Sequence, residues 1–160
     1  MKHEIKLNYS DIQEALNKLL QRTNDLTPVM RGIAAIMESA AEGAFANEAD
    51  PTTGKAWEPL SEETTIPFRI ESGHWPGQIL QVKGGLAASI ETTYGSDYAI
   101  IGSALVYARI QHEGGRTSPR SMIFDEEIPA RPYLGLSEHD RQDAVNIIRN
   151  FLKNGQTYNN

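Results

Sequence analysis

His112 and Glu113 stand side by side ahead of Gly114 and Gly115, and a His-Glu pair is how the helix of a zinc-dependent hydrolase begins. That chemistry requires a second histidine four residues after the first, so that both imidazoles share one helical face. Position 116 is Arg116 and glycines occupy 114 and 115, so the pattern is incomplete. His3, His74, His112 and His139 are dispersed, and no pair has ligand spacing. A metal site would have to be assembled entirely by the fold. Asp125, Glu126 and Glu127 supply adjacent carboxylates, but three acids in a row read as a solvated charge run with nothing nearby to raise one of them into an acid catalyst. Gly84-Gly85 and Gly114-Gly115 lack the spacing and the following lysine and hydroxyl of a phosphate loop. No serine nucleophile signature is present, and the absence of cysteine excludes thiolate chemistry and disulfides. The residues therefore support no enzyme and no cofactor. His112 is expected to cap carbonyls at the end of a short helix that Gly114 terminates.

The elements that must position these residues follow from periodicity. Tyr98 to Gly102 alternates as a strand, and Val106, Tyr107 and Ile110 then fall at helical spacing. Tyr107 and Ala108 are expected to pack inward. Ile90, Thr92 and Tyr94 alternate as a preceding strand, with Gly95-Ser96-Asp97 as the turn. Upstream, His3, Ile5 and Leu7 alternate as a strand, and Ser10 with Gln13 has the spacing of a capping box. Ile12, Ala15, Leu16, Leu19 and Leu20 form one apolar stripe of the helix that follows, which should end between Thr23 and Asp25. A long second helix is predicted from Thr27 as N-cap, with Pro28 at its first position, to Phe45. Arg31, Glu38 and Glu42 mark its solvated face. Ser137 and Asp140 frame a final helix with Ala144, Val145, Ile148, Phe151 and Leu152 as its stripe, closed by Asn154-Gly155 ahead of a frayed tail.

Two stretches lack this order. Residues 47–81 hold four prolines and three glycines, with Trp57, Phe68 and Trp75 as isolated aromatics. So long a run in a compact domain either wraps the core, with tryptophans as anchors, or extends to a partner. Its segment from Pro67 to Gly77 leaves room for a short hairpin. Residues 116–128 read as a long excursion or mobile hairpin, and Ile128-Pro129-Ala130-Arg131-Pro132 excludes regular helix or central strand.

At 160 residues the chain is read as a single domain, residues 1–160, able to hold a core without staples. No run approaches a membrane span and the N-terminus has no secretion signal, so a soluble protein is expected. The net charge of −6, with a pI near 5.2, argues against sequence-independent nucleic-acid binding. Arg109, Arg116, Arg120 and Arg131 cluster in one third of the chain, but Glu113, Asp125, Glu126 and Glu127 are interleaved, which suits a mixed-sign surface or a subunit contact.

Four segments together resemble the phage virion morphogenesis family, which includes tail completion proteins of contractile-tailed phages and prophages. They are Trp57-Glu58-Pro59-Leu60-Ser61; Ile79-Leu80 with Gly85-Leu86 and Ser89-Ile90; Ile101-Gly102 with Tyr107-Ala108 and His112-Glu113-Gly114-Gly115; and Ile128 to Ser137, whose Pro-Ala-Arg-Pro-Tyr-Leu-Gly run is the most specific. They occur in the family's order and cover most of the chain, while the run around His74-Trp75-Pro76 looks particular to this sequence. The resemblance implies an α+β fold: a small, mostly antiparallel sheet with a long N-terminal helix across it, further helices at both ends, and loop excursions at about 47–81 and 116–128. It implies a non-enzymatic virion component in tail or neck, assembled in the host cytoplasm. Its partners would be further copies in a ring and other phage tail or neck proteins, with DNA free to pass through and no membrane. Trp57, Trp75, Tyr107, His112, Arg116, Arg131 and Tyr133 are the candidate subunit-contact or family-motif residues. The rival readings are a small hydrolase or metal-dependent enzyme using His112 and Glu113, and a cytosolic binding module.

Overall fold

A computed structural model describes residues 8–21, 25–74, 76–82, 85–120 and 126–154. The expected strand at 3–7, Trp75, Gly84, the 121–125 segment and the C-terminal tail lie outside those residues. Helix α1 spans Ser10–Leu20 and α2 spans Thr27–Asn47. They are followed by α3 (Thr65–Glu71) and α4 (Gly85–Ala88), then by strands β1 (Ile90–Tyr94) and β2 (Ala99–Ser103). Helix α5 (Ala108–Glu113), strands β3 (Gly115–Arg116) and β4 (Glu127–Ile128), and α6 (Glu138–Asn154) complete the order. This is the α+β arrangement that the sequence suggests: both sheets are two-stranded and antiparallel, and α2 lies across the β1–β2 hairpin.

The helices form where apolar periodicity predicts. In α1, Ile12 and Leu19 are buried, and Ala15, Leu16 and Leu20 pack beside them against the core shared with α2 and α6. The helix is capped differently from expectation: Tyr9 occupies the N-cap and no side chain caps it, so Ser10 and Gln13 form no capping box. It also ends at Leu20, earlier than its spacing suggests. In α2, Thr27 is already helical and Leu26 holds the N-cap position. The Asp25 carboxylate accepts from both the N–H and the hydroxyl of Thr27, at 3.0 and 2.6 Å, which supplies the acceptor that an N-cap side chain would otherwise provide. At the far end Glu48 adopts a left-handed conformation, φ 49°, and ends the rod. At α6 the reciprocal box is present: Ser137 N–H donates to Asp140 Oδ2 at 2.9 Å, and Asp140 N–H donates to Ser137 Oγ at 3.1 Å. Ala144 and Ile148 of α6 are fully buried, whereas Leu152, placed in the stripe by spacing, is exposed near the helix end.

Two cores sit on the two ends of α2. One joins Leu26, Val29, Met30 and Ile33 to α1, α6 and Leu136. The other joins Ala41, Ala44 and Phe45 to Trp57, Ile79, Leu86, Ala108, Tyr133 and Leu134. The alanines let the second set approach the helix axis closely, consistent with a small-residue face.

The 47–81 stretch wraps this second core. Trp57 is buried in it, Ile79 N–H donates to Glu48 Oε1 at 2.6 Å, and Gln81 Nε2 donates to Phe45 O at 2.9 Å. The segment from Pro67 onward is helical where a hairpin had room: Pro67 stands third in α3, within the first turn, where a missing N–H costs nothing. The 116–128 stretch is a hairpin base, with Gly115 opposite Ile128 and Arg116 opposite Glu127.

Candidate functional site

The four segments that resemble the family converge on one place. His112, at the end of α5, is buried, and its Nδ1 faces the backbone N–H groups of Tyr133 at 3.2 Å and Leu134 at 3.4 Å. An acceptor that meets two donors is a neutral imidazole with its proton on Nε2. Burial also pushes the His112 pKa below the ordinary histidine value, outweighing the opposite pull of Glu113 and Asp50. The expected role as a cap for helix carbonyls is therefore replaced by its converse: the ring accepts from N–H groups of a chain segment 21 residues away. That segment cannot satisfy those groups by regular pairing, because Pro129 and Pro132 break any ladder.

Tyr133 is 1% exposed and its hydroxyl donates to Ala108 O at 2.7 Å. Its ring meets the His112 imidazole edge-on at 5.0 Å and stacks on Phe45 at 5.3 Å. Desolvation pushes its phenol pKa far up, so it stays a neutral donor. Trp57 meets Phe45 edge-on at 5.7 Å, and its Nε1 donates to Pro132 O at 2.7 Å. Arg131 is buried as well. Its Nε and Nη2 donate to the carbonyls of Glu58 and Pro59 at 2.9 and 3.1 Å, while its own N–H donates to Gln111 O. Burial lowers the Arg131 pKa. Gly114 closes α5 at φ 72°, and a Cβ there would lie 2.7 Å from Ala130 N and 2.9 Å from Ile128 O. Only glycine lets the two chains pass so close.

The arrangement locks three distant segments together, and the Nδ1 lone pair of His112 is spent in the lock. Glu113 points away into solvent and pairs with Arg109 at 2.6 Å. Among the described residues no group of three His, Asp or Glu side chains comes together as a metal site.

A family model describing the phage virion morphogenesis family matches residues 7–153. The chain belongs to that family. Among its family relatives, the putative capsid assembly protein G of Escherichia phage Mu is 43% identical over 138 residues, covering 86% of each chain. Mu-like prophage FluMu G proteins 1 and 2 of Haemophilus influenzae are 37% and 32% identical over 151 residues, covering more than nine tenths of each chain. No solved structure matches.

The family's segments thus divide by location. Trp57, His112, Arg131 and Tyr133 are interior and hold the subunit together. Tyr107 is 41% exposed and Val106 is 86% exposed, so the expected inward packing holds for Ala108 alone, with the Tyr107 hydroxyl resting near Gly85. Arg116 is exposed on β3. Sequence reasoning passed over Phe45 as an aromatic partner and Ala108 as an acceptor. Phe45 could have been found as the last member of the α2 stripe, whereas a backbone carbonyl leaves no signal in residue types.

Proposed function

We propose that this chain is a non-enzymatic structural subunit of a phage or prophage particle, acting in tail completion or at the head-tail junction as a member of a ring. The observation that carries the reading is the lock itself: His112, the histidine of the His-Glu pair, spends its Nδ1 lone pair on the N–H groups of Tyr133 and Leu134. The most specific segment of the family pattern therefore serves a rigid shape, which is what an assembly subunit needs. The phage Mu relative is named for capsid assembly, which supports a place where head and tail meet, in neck or tail of the finished virion. The partners are further copies of this chain and other tail or neck proteins, with DNA passing through the ring. An acidic subunit, net charge −6, would not hold DNA in transit.

A closed ring needs a heterologous contact between two different surfaces of the subunit. Helix α3 offers one such surface, because it is turned inside out: Arg69 is buried, donating Nη1 to Gln78 O at 2.9 Å, while Phe68 and Ile70 are 69% and 58% exposed. In the 47–81 stretch it is these two side chains, and not buried Trp57, that are free to meet a neighbour. Deleting the gene should leave heads and tails unjoined or tails of aberrant length under the electron microscope. Normal particles from the deletion would overturn the proposal. A His112→Ala chain that folds and supports normal particles would remove the enzyme alternative.

A further inference from the structure

Among the described residues the β1–β2 hairpin is a two-stranded sheet with neither edge paired to a further strand. Gly95 N–H donates to Tyr98 O at 2.9 Å, and the register pairs Thr93 with Ile100 and Glu91 with Gly102. Alternation along an antiparallel pair then turns the backbone groups of Ile90, Thr92 and Tyr94 away from β2, and those of Ala99, Ile101 and Ser103 away from β1. No described residue hydrogen-bonds to any of these outward groups. Natural sheets protect such edges with lysine, proline, bulges or a covering element, and neither strand contains a lysine or proline. The sheet face turned from α2 is equally unprotected: Ile100 is 55% exposed and Tyr98 46%. These two leave about 200 Å² of side chain in solvent, taking roughly 150–250 Å² for each large side chain. At the start of β1 a groove lined by Ala41, Phe45, Ala46, Gln81, Ala87 and Ile90 opens beside the edge.

We infer that copies of this chain join edge to edge, the β2 edge of one subunit pairing antiparallel with the β1 edge of the next. The occupant is a second copy because the hairpin carries both halves of the contact. Every β2 edge finds one β1 edge, which is the heterologous pairing that a ring requires, and no hydrogen-bonding group is left over. The apolar surface on the outer face supplies part of the roughly 800 Å² per partner that a stable contact buries, and the strand backbones and the groove supply more. This rests on the ring reading proposed above.

The chain has no cysteine, so single cysteine variants report on the contact without background. Thr93→Cys and Ile100→Cys proteins, mixed under mild oxidation, should give a covalent dimer that neither gives alone. Ile100→Lys, which places a charge on an already exposed side chain, should raise the concentration needed for assembly at least about tenfold with an unchanged circular dichroism spectrum. Ile100→Cys crosslinking to itself would overturn the inference in favour of a two-fold contact. Crosslinking of Ile100→Cys to Ile5→Cys within one chain would overturn it in favour of the N-terminal segment. Wild-type assembly with neither crosslink nor sensitivity to Ile100→Lys would sink this contact and leave the ring reading standing. Wild-type protein that stays monomeric even with tail tubes present would sink both.

Discussion

His112 shows how one atom can carry a fold. Its Nδ1 is the acceptor for two N–H groups that a proline-broken segment cannot pair otherwise. Replacing it by alanine strands those donors in the interior and opens a void beside Tyr133, so His112→Ala should cost about 2–4 kcal/mol in urea unfolding. His112→Gln, which restores an acceptor, should recover part of that loss. The same geometry sets a pH dependence. The folded pKa of His112 is held below its unfolded value of about 6.5 by burial. Its contribution to stability is therefore complete above the unfolded pKa and is lost as pH falls through the lower folded pKa, because only the unfolded chain takes up the proton in that window. Urea midpoints measured between pH 7.5 and 5 should fall more steeply for the wild type than for His112→Gln. The other three histidines, common to both proteins, cancel in the comparison.

Among the elements, the short helix α5 matters through its ends. Ala108 O takes the Tyr133 hydroxyl at one end, and Gly114 passes under Ala130 at the other. A Cβ at Gly114 would press on backbone atoms of a segment pinned by Arg131 and Tyr133, at a φ that side chains rarely adopt. Gly114→Ala should therefore lower stability by at least about 2 kcal/mol, the sum of left-handed strain and overpacking. Gly43→Ala, with nothing within 4 Å of the added carbon, should be neutral or slightly stabilising in the same thermal melt. Helix α3 reverses the usual sidedness, since its Arg69 turns inward to Gln78 O and its Phe68 turns out. Periodicity could not reveal this, because the acceptor for Arg69 comes from a loop carbonyl nine residues on.

For the whole molecule, the interior lock and the open hairpin are complementary features. The lock joins residues near 58, 112 and 131 into one rigid body, so that exposed surfaces such as the β2 edge and α3 are held in fixed relation. A subunit built this way should assemble by mass action. Light scattering with rising protein concentration, with and without tail tubes, should show a discrete oligomer, and the melting temperature should rise with concentration as it does for any protein stabilised by association. A single monomeric mass throughout would count against the ring.

The sequence by itself determined the local and repetitive parts: α1, α2 and α6 from their apolar stripes, the β1–β2 hairpin from alternation around Gly95-Ser96-Asp97, the Ser137–Asp140 box, and the family from four short segments. These are written in spacings of a few residues, because helices and hairpins pair groups close in the chain. Tertiary structure alone decided the rest. It turned His112 from a candidate for chemistry into an acceptor, carried Arg131 to the carbonyls of Glu58 and Pro59, made the Pro67 segment a helix with its arginine inward, and left Val106 in solvent. The partners in these cases are mostly backbone groups contributed by loops. Such groups are the same at every residue, so residue types cannot announce which of them the fold will bring near.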